Sequence, residues 1–184
     1  MAMTEHTGQT LSQAVTTGPR IYVACLAAYN NGYLHGRWID AEQDKEAIQA
    51  DIAAMLKASP IPGAEEWAIH DYEGFEGAEL SEYSGIDRVV ELAAFIAERG
   101  ELGGKVLAHF GGDIDQAEDA FDDYSGRYRS LAEYAQELTE ETTDIPPTLV
   151  HYIDYEAMAR DMELNDDVFT VELGFEDVHV FWSR

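Results

Sequence analysis

The sequence is short of positive charge, of cysteine and of long apolar runs, and each shortage excludes something. Only 11 lysines and arginines face 37 aspartates and glutamates, for a net charge of −26. Such a chain repels a phosphate backbone, so nucleic acid is not a direct partner, and an anionic membrane surface is disfavoured for the same reason. The one cysteine, Cys25, excludes an internal disulfide and a cysteine-based zinc site. It stands in the apolar run from Ile21 to Leu26 and reads as a small buried hydrophobe rather than a reactive thiol. No run approaches the roughly 18 apolar residues that would mark a membrane-spanning helix. Residues 1–18 are polar, rich in Thr and Gln, and lack the basic start and apolar stretch of a signal peptide. They read as a disordered leader on a cytoplasmic protein.

Catalytic signatures are missing too. Neither G-x-x-x-x-G-K-[ST] nor G-x-S-x-G occurs, and the glycines from Gly100 to Gly104 before Lys105 are too closely spaced for a phosphate loop. His6, His35, His70, His109, His151 and His179 stand singly. His70-Asp71 and His151 near Asp154 are the only approaches to a metal-ligand pair, and ordinary hydrogen-bonded histidines explain them better. Carboxylates are so abundant that no pair of them points to acid–base chemistry. The chain is therefore read as non-enzymatic, with no metal and no cofactor.

What is present is enough to fold. At 46% hydrophobic and 11% aromatic residues, the chain can bury a core, unlike a disordered acidic tail. Residues 21–28 read as a buried strand, Asn30-Asn31-Gly32 as a turn, and 33–39 as the return strand. Asp40 with Gln43 fits a capping box for a helix carrying Ile48, Ile52, Met55 and Leu56 on one face, ended by Ser59-Pro60. Residues 66–72 read as a third strand, and 73–83 as a loop. Ser84 and Asp87 start a helix over 86–99, apolar around most of its circumference. Gly100 and the Gly103-Gly104 pair are expected to close that unit. Asp113 with Gln116 caps a helix over 114–123, and Ser130 with Glu133 one over 131–141. Residues 149–153 read as short and extended, Asp154 as the cap of a helix to Met162, and 168–173 and 178–182 as the last two strands. The pattern is α+β, in small consecutive units: a β-β-α-β portion, a helical middle and an α+β end.

The charge is uneven along the chain. Residues 1–60 hold six acids and four bases, a net of −2, which leaves −24 of the total −26 for the remaining 124 residues. On the helix from Ile114, Ala117, Ala120 and Phe121 form a core stripe, while Asp115, Glu118, Asp119, Asp122 and Asp123 share the other face with no base among them. Like charges at i,i+4 destabilise a helix by about 0.2–0.5 kcal/mol per pair, so a face that accepts them suggests a use for the charge. Glu98 and Asp113, both ahead of this helix in sequence, are candidates for the same acidic surface, and a second series runs Glu133, Glu137, Glu140, Glu141 and Asp144. A third runs Asp154, Glu156, Asp161, Glu163, Asp166 and Asp167, with tyrosines between the series. Salt adaptation would spread acids over every unit, which residues 1–60 do not show. A charge of −26 matches the phosphates of roughly 44 Å of duplex, on the order of 13 base pairs. These features fit a protein that imitates DNA; an acidic interaction module for another basic protein remains the alternative.

Three strings carry a family resemblance: YVACLAAYNNGYLHGRWIDA from Tyr22, EEWAIHDYEGF from Glu65 and YIDYEAMARDMEL from Tyr152. In this order they resemble the ArdA antirestriction proteins, over about residues 20–184. The resemblance implies an elongated DNA mimic of three small domains, here near 19–83, 84–123 and 124–184. It implies a homodimer shaped like bent B-form DNA that blocks the DNA site of type I restriction-modification enzymes, with neither catalysis nor cofactor. It places the antirestriction motif and dimer contact between Glu141 and Tyr155, with Ile145, Pro146, Leu149, Tyr152, Asp154 and Tyr155 as candidate residues. Residues 1–18 have no counterpart in shorter members of the family.

Overall fold

A computed structural model describes residues 18–183. The expected leader lies, but for Gly18, outside the described residues. The described chain is α+β, with two three-stranded antiparallel sheets. No helix among the described residues is long and apolar enough to cross a membrane.

The first sheet has the order β2-β1-β3, from β1 (Arg20–Cys25), β2 (Gly36–Asp40) and β3 (Trp67–Glu73). Alternation along β1 sends Ile21, Val23 and Cys25 into the core. On the other face Tyr22 sits beside its cross-strand partner Trp38. The buried strand expected over 21–28 stops at Cys25, and α1 (Leu26–Asn30) follows. The Cys25 thiol accepts from the Ala28 amide and caps that turn, and the Leu-Ala-Ala run favours helix once pairing ends. The return strand is correspondingly shorter than expected. The next helix, α2 (Lys45–Lys57), is capped by Asp44, not Asp40: the Asp44 carboxylate accepts from the Ala47 amide at 2.7 Å. Asp40 is held in β2 opposite Arg20, and its carboxylate accepts from the Glu42 amide instead. Ile48, Ile52 and Met55 are buried, with Leu56 packed at the core's edge.

Helix α3 (Ile86–His109) departs most from expectation. It starts at Gly85 without a side-chain cap, while the Ser84 hydroxyl accepts from the Ser81 amide. At Gly100 the backbone takes φ 64°, ψ −156°, a left-handed kink, but helix resumes at once. Gly103 and Gly104 lie inside it rather than closing it. The reason is tertiary: a Cβ on Gly104 would sit 2.3 Å from the Cβ of Glu76, so only glycine lets the 74–78 loop approach. That loop buries Phe75 and Ala78 against the core.

After α4 (Ile114–Asp122) comes β4 (Tyr124–Tyr128), a strand the sequence pattern did not reveal. Then follow α5 (Leu131–Thr142), a 3₁₀ turn over Val150–Tyr152 where an extended segment was expected, α6 (Tyr155–Leu164), β5 (Val168–Gly174) and β6 (Asp177–Trp182). The 3₁₀ turn follows the Leu149 amide bonding back to the Pro146 carbonyl. The second sheet has the order β4-β6-β5, so β6 is central and buried on both faces. Val178 and Val180 meet α5 and α6 in one cluster, whereas Phe181 joins the larger one. That larger cluster runs from Ile21 through Val89, Leu92 and Val106 to Val171 and Phe181, so α3 links the two sheets through one core.

Candidate functional site

Helix α4 is built as the sequence pattern requires. The Asp113 carboxylate accepts from the Gln116 amide at 3.0 Å and from the Gln116 side chain at 2.8 Å. Those bonds, the backbone one foremost, hold the Asp113 carboxyl below the usual carboxylate range. Ala117 and Ala120 are buried, and their small side chains let α4 lie close on α3. Phe121 packs between Phe95 and Phe181, at centroid distances of 6.3 and 5.7 Å. Core contacts therefore fix which face of α4 meets solvent. Asp115, Glu118, Asp119 and Asp122 are all exposed, and none joins an ion pair among the described residues. Asp123 is half-buried at the C-cap, where its carbonyl accepts from the Trp182 amide.

Between α3 and α4 runs a groove of about 600 Å³. Glu91 and Glu98 line one wall and Asp113, Asp115 and Glu118 the other, with Phe95 and Ile114 among the apolar residues lining it. Its one cation among the described residues is Arg88, already committed to the Gly112 carbonyl and lying 3.9 Å from Glu91. Arg99 lies 4.0 Å from Glu98, but its guanidinium is drawn over the rings of Phe95 and Phe121 at 5.0 and 4.6 Å. The structure thus joins Glu98 to the α4 carboxylates across one groove, although 15 residues separate Glu98 from Asp113 in sequence.

The second acidic series belongs to α5. Ser130 caps it, accepting from the Glu133 amide at 3.2 Å. Glu133 is turned back onto Arg129, whose side chain and backbone amide lower its carboxyl pKa. Glu137 accepts from the Tyr128 hydroxyl at 3.2 Å; burial above all, then Glu137, pushes that phenol up to about 12. Glu140, Glu141 and Asp144 are exposed. α5 packs on α6 rather than on α4, so the two series belong to different helix pairs.

The segment ahead of α6 is exposed and unusually apolar. Leu149 is 52% and Tyr152 84% exposed, Pro146 is exposed, and Ile145 is half-buried. Asp154 caps α6 through the Ala157 amide at 2.9 Å. Tyr155 is half-buried, its hydroxyl without a hydrogen-bond partner among the described residues, and burial raises its pKa.

One polar network escaped sequence reasoning. The Tyr124 hydroxyl lies 2.7 Å from Nδ1 of His179, whose Nε2 lies 3.3 Å from Asp177, and Arg127 donates to the same carboxylate at 2.6 Å. Burial, more than any charge, lowers the His179 pKa, while the nearby Asp177 acts in the opposite sense. These residues lie on the paired strands β4 and β6, up to 55 positions apart, and no local motif announces them. Among the described residues no three His, Cys, Asp or Glu side chains are grouped to hold a metal ion.

The described chain is therefore an α+β protein that presents an acidic groove beside a helix face of exposed carboxylates. A family model described as "Antirestriction protein (ArdA)" matches residues 21–177. The chain belongs to the ArdA antirestriction family. Among curated proteins, none matches it. The family is one of inhibitors, whose members act on restriction-modification enzymes.

Proposed function

We propose that this protein imitates bent B-form DNA and occupies the DNA-binding site of type I restriction-modification enzymes. The observation that carries this reading is the α3–α4 surface. Asp115, Glu118, Asp119 and Asp122 project from one helix without ion-pair partners among the described residues, and Glu91 and Glu98 face Asp115 and Glu118 across the groove. A lysine- and arginine-lined DNA groove meets such a surface as it meets phosphates, and the counterions released favour association. The inhibitor acts by stoichiometric occupancy in the cytoplasm, without turnover or cofactor. We assign Glu133, Glu137, Glu140, Glu141 and Asp144 to the same contact, extended along α5. The exposed Leu149 and Tyr152, with Ile145, Pro146, Asp154 and Tyr155, fit the contact between two copies of the chain. Units near 19–83, 84–123 and 124–184 would then follow one another along the mimic.

Displacement of labelled duplex from a type I methyltransferase core tests the proposal. Near-stoichiometric protein is expected to release the DNA. Retention of DNA at large molar excess would exclude the mechanism. An adaptor for an unrelated basic protein would bind that partner while leaving the methyltransferase on its DNA.

A further inference from the structure

On the other flank of α4 lies a smaller pocket, of about 240 Å³. Its walls come from four elements distant in sequence. His109 and Phe110 end α3, Gln116 and Asp119 come from α4, Phe169 from β5 and Trp182 from β6. The floor is aromatic and preformed: His109 stacks on Phe169 at 4.2 Å and 10°, and Phe169 stacks on Phe181 at 4.9 Å and 7°. Trp182 stays 40% exposed although it ends the central strand of its sheet. The C-terminal ends of α3 and α4 both border the pocket, and helix C-termini favour positive charge.

We propose that this pocket seats one arginine side chain of the partner, its guanidinium against the Trp182 indole and paired with Asp119. This rests on the reading that the chain docks into a basic DNA-binding site. Size argues for a single side chain, because pockets for whole small molecules begin at about 300 Å³. Composition argues for arginine over lysine. A planar, weakly hydrated guanidinium stacks on an aromatic face while bonding a carboxylate, whereas an ammonium is a compact, strongly hydrated charge. The protein uses the same arrangement internally. Arg20 lies over Trp38 at 4.7 Å while pairing Glu73, and Arg99 lies over Phe95 and Phe121. At Trp182 the ring and carboxylate are present, yet no lysine or arginine among the described residues lines the pocket. The seat adds shape to an interaction that phosphate-like charge alone leaves nonspecific.

The test follows the three tryptophan indole N–H resonances of the full-length protein, that of Trp182 assigned from its loss in Trp182→Phe. N-acetylarginine amide is expected to shift the Trp182 signal saturably. N-acetyllysine amide at matched ionic strength is expected to bind roughly threefold or more weakly. Asp119→Asn, an exposed substitution that leaves the fold intact, is expected to weaken the arginine response. Equal responses to the two probes, or no response at Trp182, would overturn the assignment. So would binding that appears only in Arg184→Ala, since the seat would then belong to the chain's own Arg184. The outcomes separate from the proposed function. A dead pocket with DNA displacement intact removes only the arginine seat, whereas probe binding without displacement removes only the imitation of DNA.

Discussion

The N-terminal sheet unit and the α3–α4 surface share one hydrophobic core but treat charge in opposite ways. In the first, Arg20 pairs with Glu73 and Arg37 with Asp51, and Lys45 reaches across to Asp87 at the start of α3, so cations and carboxylates are interleaved. On α4, four exposed carboxylates stand together with no ion-pair partner among the described residues; the nearby Arg88 bonds the Gly112 carbonyl and lies near Glu91, and Arg99 lies over aromatic rings and near Glu98, so the carboxylates they meet are those of α3 rather than of α4. A uniformly acidic solubility surface would not make this distinction within one core. The imbalance is local, and it lies on an element whose orientation the core fixes.

Removing what the two regions share should have the largest effect. Phe181 is fully buried and stacks on Phe169 while meeting Phe121 and Tyr124. Phe181→Ala is expected to cost about 3–5 kcal/mol in urea denaturation, with the acidic region and the N-terminal sheet losing structure in one transition. Two separated transitions would show that the core is not shared energetically.

Next comes the exposed apolar segment. Leu149→Ala with Tyr152→Ala is expected to weaken self-association by roughly tenfold or more in sedimentation, with little change in the fold, because both side chains lie on the surface. Self-association that is unchanged in the variant would contradict the proposed contact between two copies.

Smaller effects should separate the two charge patterns directly. Asp51→Asn breaks the pair with Arg37 and is expected to lower stability by about 0–1 kcal/mol without altering inhibition. Glu118→Gln, Asp119→Asn and Asp122→Asn together should act in the opposite sense. They relieve i,i+4 repulsion late in α4, where the helix dipole also disfavours anions, and should raise stability by a few tenths of a kcal/mol, roughly, per pair removed. Inhibition should weaken at the same time. A loss of stability in the triple variant would mean that these carboxylates serve the fold.

The smallest expected effect is at His179. Burial lowers its folded-state pKa below the ordinary 6.5, so the unfolded chain binds its proton first as pH falls. Stability should therefore decline as pH drops through about 6.5 toward the folded value, and His179→Asn should flatten that part of the profile in thermal melts. An unchanged profile would place the charged ring comfortably in the fold.

Much of this was legible in the sequence because it is local. The caps Asp113, Ser130 and Asp154, the core stripe of α4 and the β5–β6 hairpin each declare themselves within a few residues. Misreadings arose where distant contacts decide. Both Asp40 and Asp44 are eligible caps, and pairing of β2 with β1 settles which one is used. Gly103 and Gly104 look like helix terminators until the 74–78 loop is seen against them. The short strand Tyr124–Tyr128 is held by β6, some 50 residues on, and carries no periodic signal of its own. The same holds for the surface: the one-sided charge of α4 can be read from its spacing, but the opposing wall of Glu91 and Glu98 and the aromatic pocket beside Trp182 exist only in the fold.

The most direct measurement is the salt dependence of displacement: inhibition of DNA binding by a type I methyltransferase core, titrated from low to high salt with the wild-type chain and with the Glu118/Asp119/Asp122 variant. If these carboxylates stand in for phosphates, wild-type affinity falls steeply with salt, and the variant's log–log slope is shallower by about two to three. Identical slopes and affinities for the two proteins would contradict the imitation of DNA by this face.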